Sequence, residues 1–187
     1  MLSKVAVKAE SGTASYDRDL FKHWIDANSD CQTTRAEVLI AESKIATTYT
    51  TSRQCTVVTG SWYSAYDGAT WTAASDVDID HVVALKEAWE SGARLVTPTN
   101  RTAYANDITF WPSLVAVTDN VNQSKSDRDP TNWLPRRVAA RCTYAIQWVQ
   151  VKYRWGLSID TAERTKLSSL LSGNCGARTV VLPPRGL

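Results

Sequence analysis

The feature that most limits how this chain can fold is the placement of its four cysteines, Cys31, Cys55, Cys142 and Cys175. None lies in a CxxC pair, so the common zinc-knuckle spacings are absent. An even count fits two disulfides; the competing reading is four buried free thiols. Helix periodicity favours the bridges. Residues 136–155 place Val138, Cys142, Ala145, Ile146, Val149 and Tyr153 on one stripe, and Gly156 ends the pattern. Asp160 and Glu163 then form a capping box for a second helix that carries Leu167, Leu170 and Leu171 and stops at Gly173. In an antiparallel helix pair turning at 156–160, Cys142 and Cys175 stand nearly equidistant from the turn, 14 and 15 residues away, and so come out level. The register predicts Cys142–Cys175 and, by exclusion, Cys31–Cys55. Such bridges imply an oxidising compartment, and the expected location is extracellular. The opening MLSKVAVKAESG has no long apolar run and no small-residue cleavage site, so either the chain is a mature product behind an added Met or it is not exported by this route; the form expected is a secreted, mature one without a signal peptide.

The 187 residues suffice for one substantial core, and the expectation is a single domain over 1–187. With 43% hydrophobic and 21% charged residues the composition excludes a disordered or collagen-like chain. No run approaches the roughly 18 apolar residues of a membrane span, so no membrane partner is expected. A formal charge of +2 neither implies nor excludes nucleic acid. The eight tryptophans are spread along the chain and read as core rather than as a carbohydrate platform. There are only two histidines, His23 and His81, so a three-histidine metal site within one chain is excluded and a histidine base has two candidates.

Along the chain, residues 1–15 read as a loose lead-in. Residues 17–28 predict an amphipathic helix with Leu20, Phe21, Trp24 and Ile25 inward and His23 on the solvated side, far from any other motif. A helix over 34–43 precedes a threonine-rich, β-favouring stretch and the turn signal Asp67-Gly68. Residues 77–83 alternate as a strand, 84–91 form a short helix ended by Gly92, and 93–112 make a long irregular connection. Leu114–Val117 is a second strand, and Thr118 or Asp119 caps a helix starting at Asn120. The fold class expected is α+β.

Chemistry concentrates in that strand–strand–helix unit. Asp80 and His81 stand on opposite faces at a strand end, and Asn122 lies about one turn into the helix. One carboxylate and one amide oxygen suit a hard cation that keeps most of its waters. A neutral histidine beside it can deprotonate one of them. An Asp-His pair alone is a weak signal. The whole string is more specific: DVDIDHVVALKEAW followed by LVAVTDNVNQSKSDRDPTNWLP resembles the HNH, or ββα-metal, endonucleases over about residues 76–135. A wider resemblance, to the secreted branch related to the GmrSD C-terminal domain, rests on YDRDLFKHW (16–24), CQTTR (31–35), SGARLV (91–96), RTAYANDI (101–108) and RCTYAIQWVQVK (141–152).

The resemblance implies a ββα-metal nuclease core with peripheral helices, braced by the two disulfides. His81 would be the general base, Asp80 and Asn122 the ligands of a divalent metal (Mg²⁺, with Mn²⁺ as the alternative), and Lys125 a phosphate contact, with Arg128 beside it. The middle asparagine of the motif has two candidates for its place, Ser113 by distance before Asn122 and Asn106 through the longer connection; Asn106 is the preferred orienting residue. Asp78 is either an acceptor behind the site or polar strand filler. Residues 76–90 carry a net charge of −4 and residues 125–154 a net charge of +5, which reads as an acidic metal pocket beside a basic track or, more plainly, a solvated helix face. The activity implied is metal-dependent hydrolysis of DNA, with RNA as an alternative, by a monomer that leaves 5′-phosphate and 3′-hydroxyl ends. Two rivals remain: a metal-independent glycoside hydrolase using Asp78 or Asp80 with Glu87, and a binding module with an inactive HNH core.

Overall fold

Leu114–Thr118 is buried at all five positions, and a strand with no solvent face must be covered on both sides. This strand, β5, pairs antiparallel with β4 (Val77–His81), with Val77 opposite Thr118 and His81 opposite Leu114. The pleat divides the apolar residues. Val77, Ile79, Leu114 and Ala116 join one core cluster with Ala36, Leu39 and Trp62. Val115 and Val117 join the other, with Tyr66, Tyr144 and Trp148. The computed structural model describes residues 2–173, 175–176 and 180–186, and within them the architecture is mixed α+β with two small sheets.

The first cluster is covered by helix α1 (Thr34–Glu42) and a three-stranded antiparallel sheet in the order β1 (Thr48–Tyr49), β2 (Val57–Tyr63), β3 (Thr70–Ala73). After β4 come α2 (Leu85–Glu90) and α3 (Pro98–Ala105); α4 (Asp119–Lys125) follows β5 directly. The second cluster is closed by α5 (Arg141–Arg154) and α6 (Thr161–Gly173). Gly156 turns the chain between them with φ +64, a left-handed conformation that glycine adopts without steric cost. The capping box forms as expected: Asp160 Oδ1 accepts from Glu163 N at 2.7 Å, and Asp160 N donates to Glu163 Oε2 at 3.2 Å. Both expected disulfides, Cys31–Cys55 and Cys142–Cys175, are present. Four tryptophans (Trp62, Trp89, Trp148, Trp155) are core residues, whereas Trp111 is exposed. Among the described residues no helix is long and apolar enough to cross a membrane.

Three elements differ from the sequence expectation. Residues 17–28 do not form an α-helix; one 3₁₀ turn, Arg18–Leu20, is followed by irregular chain with Trp24, Ser29 and Cys31 at φ +58, +63 and +73. Partners distant in sequence hold the backbone there: Ile25 N donates to Asn106 Oδ1, and the Leu20, Lys22 and Ile25 carbonyls accept from Arg101, Asn106 and Thr34. The connection 93–112 contains α3, which starts on a Thr97 cap accepting from Asn100 N at 3.2 Å with Pro98 in its first turn. Helix α5 begins at Arg141 rather than 136, because residues 138–140 form a 3₁₀ turn that leaves Val138 59% exposed.

The bridges close loops of 24 and 33 residues. Replacing either cysteine pair by serine is expected to cost about 3–4 kcal/mol of stability in the chain-entropy model, read from urea unfolding of each double variant. A loss below about 1 kcal/mol would show that the bridge does not restrain the unfolded chain.

Candidate active site at the end of β4

Alternation along β4 sends Asp78 and Asp80 to one face and His81 to the other, and the strand ends beside a cleft of about 470 Å³ lined by Asp80, His81 and Asn122. His81 is 7% exposed. Its ring lies between Trp24 (centroids 5.5 Å apart) and Tyr104 (6.4 Å, interplanar angle 18°). Nε2 stands 2.9 Å from the Ala105 carbonyl oxygen. A carbonyl only accepts, so Nε2 carries the proton and Nδ1 keeps the lone pair. Burial pushes the imidazole pKa down to about 3; the bond to Ala105 opposes this, and the positive charges of Arg18 and Lys125 add to it. At neutral pH the ring is therefore neutral, the form a base requires.

Asp80, 4% exposed, accepts from Lys125 Nζ through Oδ1 and from the Tyr66 hydroxyl through Oδ2, each at 2.7 Å. Burial raises its carboxyl above the ordinary value, against the pull of Lys125 and Tyr66. Tyr66 in turn is held as the phenol, pushed up by burial and by the Asp80 charge. On α4, Asn122 donates through Nδ2 to Asp78 Oδ2 at 3.2 Å, which orients the amide and leaves Oδ1 for another partner. Of its two alternative readings, Asp78 takes the one of an acceptor behind the site. The Asp80 carboxylate and the Asn122 amide oxygen are hard donors on one cleft, and each Asp80 oxygen keeps a second lone pair. That donor chemistry fits a Mg²⁺-type cation retaining several waters. Among the described residues the grouping of three acidic side chains with ligand atoms within 4.8 Å of one another lies elsewhere, at Glu10, Glu87 and Glu90.

Several expected residues take other positions. Lys125, expected to contact phosphate, lies behind the cleft: its ammonium is fully buried, donates to Asp80 and to the His81 carbonyl oxygen (2.9 Å), and is not among the cleft-lining groups. Arg128 is exposed and donates to the Ser124 carbonyl, also outside the cleft lining. The +5 stretch is not one basic track, because Lys125, Lys152 and Arg154 are interior partners of Asp80, Glu87 and Asp107. Asn106 makes no hydrogen bond to the His81 ring and does not line the cleft. Its side chain accepts from Ile25 N and Thr34 Oγ1 and donates to the Lys22 and Thr102 carbonyls, fastening the N-terminal segment to the end of α3. Its neighbour Ala105 makes the contact to His81. Ser113 is buried on Asp107. His23 is not remote: it is half-buried, and its ring packs at 5.6 Å on Trp24, the residue that covers His81.

Sequence reasoning passed over Tyr66, Trp24 and Tyr104. The last two belong to the stretches YDRDLFKHW and RTAYANDI, so their segments were singled out although their contacts were not. Tyr66 carries no local signal; it meets Asp80 across 14 residues through the turn before β3.

Residues 33–170 match the family described as GmrSD restriction endonucleases, C-terminal domain. A protein of Arthroderma benhamiae named "Uncharacterized secreted protein" is 45% identical over 172 residues, covering 92% of this chain and 82% of that protein. No solved structure matches the chain.

Removing one partner of a buried ion pair strands the other charge, which typically costs about 3–5 kcal/mol. Lys125→Ala is expected to lose that much stability, whereas Arg128→Ala should stay within about 0.5 kcal/mol of the parent, as exposed substitutions do. Chemical unfolding of the two variants decides; equal stabilities would contradict the buried role of Lys125.

Proposed function

The chain belongs to the family of GmrSD restriction endonuclease C-terminal domains, and on that premise we propose that it is a metal-dependent endonuclease of the HNH type. Its ββα unit would be β4, β5 and α4, and its substrate the phosphodiester backbone of DNA, with RNA as the alternative. One observation carries the reading: a buried, neutral His81 whose Nε2 is held by a carbonyl shares a cleft with two oxygen donors, Asp80 and Asn122. Asp80 and Asn122 would hold Mg²⁺, or Mn²⁺ in its place; when bound it supplies charge stabilisation to the phosphate and the departing oxygen. His81 Nδ1 takes a proton from water as the oxygen attacks phosphorus in line with the P–O3′ bond. The Ala105 carbonyl holds the ring in that tautomer and steadies the imidazolium that results. Breaking P–O3′ leaves a 5′-phosphate; O3′ takes a proton from solvent water to give a 3′-hydroxyl, and the His81 imidazolium returns its proton to solvent.

The glycoside-hydrolase reading gains no support, because Asp80 is engaged by Lys125 and Tyr66 and Glu87 by Lys152. The disulfides and a relative named as secreted agree with an extracellular location.

Plasmid nicking tests the metal requirement. EDTA should abolish it and re-added Mg²⁺ restore it, and full activity after exhaustive chelation would end the proposal. In the same assay His81→Ala should lose roughly two to four orders of magnitude in rate, the usual worth of a positioned base, while keeping its affinity for Mn²⁺. Asp80→Asn should lose rate and Mn²⁺ affinity together.

The pH dependence has a definite sign. A base whose pKa is lowered keeps its lone pair down to low pH, so activity falls only where acid reaches the folded value of about 3. The expected kcat/KM profile is therefore flat from pH 6 upward. A rising limb centred near ~6.5, the ordinary imidazole value, would mean that His81 is not the buried base described here.

A further inference from the structure

Two cationic side chains line the cleft, and one of them, Lys86, is engaged by Asp127 at 2.6 Å. Arg18 lines the cleft with Asp80, His81 and Asn122, is exposed, and has no carboxylate within ion-pair distance among the described residues. Its position is fixed by its neighbours. Asp17 caps the 3₁₀ turn through Asp19 N at 2.9 Å, and Phe21 N closes the turn on the Arg18 carbonyl at 3.0 Å. Phe21 is fully buried, edge-on to Trp89 (6.2 Å) and Tyr104 (6.0 Å). The Leu20 carbonyl accepts from Arg101 at 3.2 Å, and the Lys22 carbonyl from Asn106. Thus a solvent-facing guanidinium is carried on a backbone anchored in the core. Arg18 precedes residues 33–170 and belongs to the stretch YDRDLFKHW.

We propose that the N-terminal segment around Arg18 is the phosphate-binding wall of this cleft, with the Arg18 guanidinium gripping a backbone phosphate of the nucleic acid laid across His81. The inference rests on the nuclease reading above and adds to it a substrate-binding residue from the N-terminal segment that precedes residues 33–170. A guanidinium offers a planar fork of donors that matches two phosphate oxygens at once, which an ammonium does not. A backbone contact of this kind carries no sequence information, so the grip would be tolerant of sequence.

The test measures binding of a short fluorescent DNA duplex to the full chain by anisotropy across a salt series, in the His81→Ala background so that the duplex survives. Arg18→Ala should weaken binding about tenfold and reduce the slope of log affinity against log salt by about one, as loss of a single phosphate contact does. Arg18→Lys should restore the slope but only part of the affinity. Arg164→Ala, an equal loss of charge on the exposed face of α6, should change neither. With His81 present, Arg18→Ala should raise KM and leave kcat nearly unaltered. If the parent nicks plasmid while Arg18→Ala keeps its affinity and salt slope, the proposal is overturned and the nuclease reading stands. If the parent neither binds nor cuts DNA or RNA with Mg²⁺ present, both are overturned.

Discussion

The ammonium of Lys125 holds the site together. From the last turn of α4 it reaches Asp80 Oδ1 at 2.7 Å and the His81 carbonyl oxygen at 2.9 Å, so one buried charge fixes two consecutive residues of β4. Tyr66 closes the other carboxylate oxygen from a loop outside the strand pair. In a low-dielectric interior the pair is expensive to desolvate and more expensive to break. What it supplies is geometry. Helix α4 cannot slide along β4 without leaving a charge unpaired, and α4 is also the element that carries Asn122. The separation of the two candidate oxygen ligands is therefore set by an interaction that takes no part in the chemistry. A divalent cation entering the cleft would share Asp80 with Lys125, a positive neighbour that tempers how tightly such a cation could be held.

His81 is controlled differently, through exclusion of water. Its ring is covered by Trp24 and Tyr104, and both reach it from segments remote in sequence. Trp24 has φ +58, an uncommon backbone conformation for a residue with a large side chain. The strain is tolerated because the chain around it is over-determined: Asn106 uses its side-chain amide on the Lys22 carbonyl and the Ile25 amide on either side of it. An asparagine that never enters the cleft thereby keeps the tryptophan over the imidazole. What the Asn106 side chain does in the fold is fasten one loop to another.

How much of this was legible follows from the range of each signal. The Cys142–Cys175 register, the Asp160–Glu163 box and the two strands are local patterns, with periods of 3.6 or 2 that a short window contains. The failures have identifiable causes. The stripe at Leu20, Phe21, Trp24 and Ile25 has helical spacing, but Asn106, Arg101 and Thr34, 9 to 84 residues away, hold the Ile25 amide and the Leu20, Lys22 and Ile25 carbonyls that a helix would use. The start of α3 was written in Thr97-Pro98; its polar residues Thr99, Asn100, Arg101 and Thr102 hid the apolar face, which is only Tyr104 and Ala105. Charge was misread most. A count over 125–154 treats Lys125, Lys152 and Arg154 as surface cations, whereas their partners lie 45, 65 and 47 residues away, beyond any local pattern.

Those three cations share a logic. Each extends from a helix that follows β5 to an acidic residue that precedes β5 in sequence. Lys125 of α4 holds the end of β4. Lys152 of α5, fully buried, holds Glu87 on α2, the helix that leaves the site after His81, and is flanked by Glu163 of α6. Arg154 holds Asp107, just after α3, at 2.7 Å; burial would raise that carboxyl, but bonds from Arg154, Thr109 and Ser113 outweigh it and keep it below its ordinary value. Apolar residues of equal volume at these places would pack at least as stably. They would not fix rotation or register, since a hydrophobic contact tolerates a slip that a two-point ion pair does not. The strand end, the helix after it and the α3–β5 connection are thus each pinned in position by a directional contact. That is what a site of fixed geometry requires of its supports, because the groups in the cleft are few and a shift of about an ångström would separate them.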